Sequence, residues 1–174
     1  MAIDLRRIGE HLNGDQLEAQ VNQMLDEMWA LEPAQRGRAV GQIIARLDEV
    51  AAESVRRAIM RQRGRGCFST WVLDSAREHL ENAADLDELL ARLNRADIGG
   101  GSLERDGDTI TGSYASCPCP LVSSAQAPIS ATYCECSCGW YQELFETFLR
   151  RPVQVRLVDS IAHGAENCSF VICV

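Results

Sequence analysis

Nowhere in this chain does an apolar run approach the roughly 20 residues that a membrane-crossing helix needs. The opening stretch, "MAIDLRRIGEHLNGDQ", carries acids where a secretory signal would have its apolar core. Both absences point to a cytoplasmic protein without a membrane partner. Positive charge is short as well: 17 basic side chains face 25 acidic ones, for a net charge of −8. Such a surface repels phosphate backbones unless its cations cluster. They cluster only in "RQRGR" (61–65), which reads as a helix C-terminus, where arginines favour the dipole in any case. No nucleic-acid partner is expected. A glycine-rich phosphate loop, a His-Glu-x-x-His pair and a serine nucleophile elbow are all missing, so the commonest phosphate, zinc-protease and serine-hydrolase chemistries have no motif here. There is no repeat of fixed period and no low-complexity tract.

What the chain does have is enough apolar material, 46% of 174 residues, to bury one good core. From Ile3 to about Ala96 the apolar residues recur at helical spacings, as in Val21, Met24, Leu25, Met28 and Leu31, then Val40, Ile43, Ile44, Leu47 and Val50. Gly14 separates the first segments, Pro33 suits a helix start, and Gly64 and Gly66 read as a helix end. Further helices are expected over about 67–82 and 85–94. After the "GGGS" run (99–102) the composition turns to strands. "LERDGDTITGSY" reads as a hairpin, because Asp106-Gly107 supplies the positive φ of a tight turn. The tail gives a second hairpin around His163-Gly164, with Val153, Val155 and Leu157 alternating on one strand and Cys168, Phe170 and Ile172 on the other. The fold class expected is α+β: a helical region (1–98) and a cysteine-rich α+β region (99–174), together one compact domain. The long amphipathic helices would suit pairing with a second copy.

Eight cysteines in a reducing compartment imply metal ligation, thiol chemistry or buried apolar thiols, not disulfides. Five of them stand in the stretch 114–140, as Cys117-Pro-Cys119 and, 14 residues on, Cys134-Glu-Cys136-Ser-Cys138. Cys168 returns on the last strand. In extended chain, residues i and i+2 lie roughly 7 Å apart, whereas two thiolates on one zinc are about 3.8 Å apart. The chain must therefore curl for both members of a pair to share an ion, and Pro118 and Pro120 would fix such bends. The candidate metal ligands are Cys117, Cys119, Cys134, Cys136, Cys138 and Cys168, with zinc the expected ion and an iron–sulfur cluster or copper(I) the alternatives. A helix is expected from near Trp140. A thiol just before it, Cys136 or Cys138, would have a lowered pKa and serve as ligand or nucleophile. Trp140, Leu144, Phe145, Phe148 and Leu149 share one stripe of that helix; its plain reading is core packing, and the first four are also the candidate lining of an apolar ligand pocket. His163 reads as a solvated turn residue first and a catalytic base second, and His11 and His79 as exposed helical residues. Cys67 reads as a small buried residue opening a helix, and Cys173 faces away from Cys168.

"YCECSCGWYQELFETFLRRPVQVRLVDSIAHGAENCSFVI" resembles the C-terminal signature of the 4-vinyl reductase family of small-molecule-binding domains. In that signature a cysteine precedes a Gly-aromatic helix, "G-x-P-V-x-V" opens a strand and "G-x-x-x-C-x-F-x-I" closes a hairpin; Arg150 stands here where the first of those glycines would be. Sequences of the L-2-amino-thiazoline-4-carboxylic acid hydrolase-like type are similar over the same tail. The resemblance implies an α+β domain that binds a small apolar or aromatic molecule beside a cysteine-bound zinc, as in phenol-sensing regulators. Of the four ligands recurring in those sensors, the first falls on Cys134 and the last on Cys168, but the glutamate falls on Leu157 and the middle cysteine on Ser160. Cys117, Cys119, Cys136 or Cys138 would then replace the missing pair.

Three readings stay open at this point. One is a metal-binding, small-molecule-binding or sensing domain, in which a closed thiolate zinc stabilises a pocket and performs no hydrolysis. Another is a thiol- or zinc-dependent hydrolase acting on cyclic C–N bonds, with Cys136 or Cys138 as nucleophile and Glu135, Glu143 or His163 as base. The third is an iron–sulfur or copper(I) protein.

Overall fold

The computed structural model describes every residue except Met1, Ala2, Ser124 and Gln126. The helical half comprises α1 (Gly14–Glu27), α2 (Pro33–Val50), α3 (Glu53–Trp71), α4 (Leu73–Asn82) and α5 (Leu86–Arg95). Its local signals are ordinary. Asn13 and Gln16 form a capping box at the start of α1, Pro33 occupies the first turn of α2, and the Asp85 carboxylate caps α5. After these come β1 (Glu104–Asp106), β2 (Thr109–Tyr114), the single turn α6 (Pro120–Ser123), α7 (Glu135–Leu149), β3 (Gln154–Asp159) and β4 (Cys168–Cys173). The four strands form one antiparallel sheet in the order β1-β2-β4-β3. The expected α+β class and both hairpins are present. Val155 of β3 and Cys168, Phe170 and Ile172 of β4 turn inward, as the alternation requires.

Two of the expected boundaries are different. Gly64 and Gly66 do not end a helix, and Cys67 does not open one: α3 runs through all three to Trp71, and the break falls at Val72. At Gly64 the reason lies 72 residues away along the chain, at Cys136. A methyl group at Gly64 would overlap the Cys136 carbonyl oxygen, and one at Gly139 would overlap the Arg61 carbonyl oxygen. The two glycines thus let the backbones of α3 and α7 touch. The second difference is that α7 starts at Glu135 and not near Trp140, so Cys136 and Cys138 lie inside its first turns.

Beside the glycine contact an ion ladder joins the same helices. All 17 basic residues are arginines, and three of them, spaced four apart on α3, meet the acids of α7. Arg57 and Arg61 both bind Glu135, at 2.9 and 2.8 Å. Arg65 binds Glu143 at 2.9 Å and Glu146 at 2.8 Å. The "RQRGR" run is therefore a structural clamp in mid-helix, with Arg63 reaching Asp26 of α1 at 3.0 Å.

Two apolar clusters result, and neither coincides with the halves of the sequence. One joins α1, α2 and the first part of α3 to Leu121, Ile129, Tyr133 and Cys134. The other joins Phe68, α4 and α5 to α7 and the sheet. The Gly99–Gly101 run, all at positive φ, is pinned: Tyr141 donates to the Gly99 carbonyl at 2.9 Å, and Asn94 exchanges two 2.8 Å hydrogen bonds with the Leu103 backbone.

Candidate functional site: a thiol junction

Cys134 ends a one-turn 3-10 helix and stands as the N-cap of α7, yet its side chain makes no capping bond. The sulfur turns instead toward the β3–β4 connection. There Ser160 Oγ donates to Cys134 Sγ at 2.9 Å, the Ile161 amide donates to Cys168 Sγ at 3.3 Å, and the two thiols share a hydrogen bond. The sharing splits the pair. The Cys134 S–H, donated to Cys168 and buried, holds its proton far above the ordinary range, while Cys168, receiving that hydrogen bond and the Ile161 amide, is lowered toward the thiolate against its own burial. Cys134 belongs to the first apolar cluster and Cys168 to the second, so the pair sits on the seam between them.

The other cysteines surround this pair without joining it. Cys119 lies 3.3 Å from the Tyr133 hydroxyl. Cys117 is pushed up to about 11 by burial and is near enough to feel both Cys119 and Cys168. Cys136 and Cys138 do not have the lowered pKa expected of thiols at a helix start. Burial drives Cys136 far up, with Cys119 and Cys67 beside it, and lifts Cys138 to about 12, with the Glu135 charge adding and Arg61 opposing. Desolvation outweighs the dipole at both. The helical start at Glu135 also separates the three: Cys138 takes a backbone hydrogen bond from Leu157, whereas Cys136 faces the loop thiol. Cys67 and Cys173 are exposed.

Among the described residues, no group of three or more His, Cys, Asp or Glu is placed to hold a metal ion. Two thiols converge, and Ser160, which sequence spacing put at a cysteine position, completes the triangle. Leu157 is half-buried beside it. Three polar residues among those described are buried: Thr132, Glu135 and Ser160. Thr132 is two residues before Cys134 and donates to Asp48 at 2.7 Å, Glu135 follows Cys134, and Ser160 touches it. Among the described residues, the buried polar side chains are thus two sequence neighbours of Cys134 and one that touches it.

Of the proposed pocket lining, Leu144 and Phe145 are fully buried, and Trp140 and Phe148 are partly covered. They pack with Tyr141, which stacks against Tyr114 at 6.0 Å and meets Phe170 at 5.0 Å, and Trp140 sits edge-on to Phe68 at 5.2 Å. His163 is exposed on the β3–β4 turn. Among the described residues, the side-chain hydrogen bonds of the thiols go to Ser160, Tyr133, Ser137, Glu135, backbone and one another, and none to an imidazole. No helix is long and apolar enough to cross a membrane.

A family model matches residues 30–174 and is described as a family of unknown function, DUF6144. The chain belongs to DUF6144. The match takes in every cysteine of this DUF6144 chain and the whole second apolar cluster, while α1 and the other first-cluster residues before position 30 lie outside it. No curated protein matches it. Among solved structures, it is similar to the phenol-responsive sensory domain of the transcription activator PoxR with phenol, with 13% identity and a TM-score of 0.48 over 82% of this chain and 74% of that one. The likeness is too slight to transfer a ligand.

Proposed function

We propose that this DUF6144 protein is a small-molecule-binding domain of the sensing kind, stabilised by a soft metal ion, zinc foremost, at Cys134 and Cys168. The observation that carries this reading is the convergence of these two thiols, 34 residues apart in the chain, in a buried polar knot with one of them lowered toward the thiolate. The donor chemistry fits zinc in part. Two sulfurs stand together, the serine hydroxyl is a weaker donor than a thiolate, and Cys117, already within electrostatic reach of Cys168, is the next ligand, with Cys119 behind it. A closed shell of this kind leaves no position for an attacking water, so its contribution is to lock the hairpin to α7. The small apolar or aromatic ligand would be received between α7 and the sheet, where Trp140, Leu144, Phe145 and Phe148 supply the lining.

Binding is favoured over hydrolysis by a specific feature: the acid nearest the thiols in sequence, Glu135, is held by two arginines and is not available as a base. The test is competition for zinc against a chromophoric chelator. Wild type, Cys67→Ser and Cys173→Ser should take up about one zinc per chain, and Cys134→Ser and Cys168→Ser should each lose it. Equal uptake by all five proteins would reject the site. A coloured protein would instead indicate an iron–sulfur cluster, since zinc and copper(I) thiolates are colourless.

A further inference from the structure

We propose a second site, apart from the Cys134–Cys168 pair: a cleft over β3 and the facing residues of β4 that binds a small oxyanion, a carboxylate or a phosphate. The cleft has a volume of about 280 Å³, and its polar lining is Arg61, Arg156, Gln142 and Gln154, completed by Val155, Val171 and Cys173. None of its lining residues is acidic, although the chain as a whole carries a net charge of −8.

The two guanidinium groups play different parts. Arg61 is fixed in place, since its Nε donates to Glu135 at 2.8 Å and its Nη2 to the Val155 carbonyl at 2.9 Å. Its Nη1 makes no hydrogen bond among the described residues, and the guanidinium lines the cleft already fixed, without the entropy cost of ordering it. Arg156, exposed at mid-strand, has no hydrogen-bond or ion-pair partner for its side chain among the described residues. Register places it beside Val171, and Gln154 beside Cys173, on the same side of the sheet. The acid bound to Arg61, Glu135, is shared between Arg57 and Arg61, so one carboxylate is set against two guanidinium groups there. Two carboxamides add neutral donors; Gln142 uses one N–H on the Val153 carbonyl at 3.3 Å and keeps the other. One locked guanidinium, one free guanidinium and amide donors around a small open volume match the planar, multiply accepting edge of an oxyanion. They do not match a cation or an apolar ligand.

The experiment is calorimetric titration of the full chain with inorganic phosphate and, separately, with acetate, each against sodium chloride of equal ionic strength. Saturable binding of either anion is expected, and which one saturates tells a phosphate site from a carboxylate site. Arg156→Ala should weaken that binding about tenfold or more while leaving the melting temperature unchanged, because the side chain is exposed and unpartnered. Cys134→Ser should bind the anion as wild type does. If neither anion gives saturable heat beyond the chloride control, or if Arg156→Ala binds as tightly as wild type, the site does not exist.

Discussion

Glu135 shows how single residues divide the labour around the thiol pair. Its side chain is buried, and burying a carboxylate is tolerable only because Arg57 and Arg61 each supply a charge-assisted hydrogen bond and because the residue opens α7, where the helix dipole favours an anion. Glu135→Gln would leave two arginines facing a neutral amide. We expect a loss of about 2–4 kcal/mol of stability by denaturant unfolding; a loss below about 1 kcal/mol would mean that the pair is screened as an ordinary surface bridge. At this scale the sequence was only partly informative. It pointed to Cys134 and Cys168, and spacing against a resembled family pointed to position 160. It also grouped Cys136 and Cys138 with them, because a Cys-x-Cys-x-Cys run gives no sign of whether it is extended or helical. Starting the helix five residues earlier sends alternate thiols to opposite sides.

The element that organises the molecule is the α3–α7 pair. Periodicity made both helices legible, but glycine inside a helical pattern has two explanations, a stop or a close approach, and local sequence does not separate them. Gly64 is a close approach, whereas Gly66 is neither a stop nor an approach, which makes them a matched test. Gly64→Ala would press a methyl group into the α7 backbone at Cys136 and should cost about 3 kcal/mol or more. Gly66 is exposed with nothing near its missing Cβ, so Gly66→Ala should stabilise by about 0.5–1 kcal/mol through helix propensity alone. Thermal unfolding of the two variants checks both signs. Similar effects in both would show that the helices do not meet at Gly64.

Across the whole molecule, two apolar clusters meet along a seam, and the chain crosses it repeatedly. Composition and patterning made the α+β class, the two hairpins and the helical half readable, because each rests on short-range periodicity. The seam was not readable, since it is made by contacts between residues such as Ile59 and Tyr133 on one side and Phe68 and Phe170 on the other that share no local pattern. The thiol pair holds the two sides together by hydrogen bonds, and a metal ion there would hold them by coordination. Elemental analysis of protein purified anaerobically without chelator, with an absorption spectrum of the same sample, tests that claim most directly. About one zinc per chain with no visible bands is the result this account predicts; metal-free protein that also takes up no zinc when titrated would contradict it.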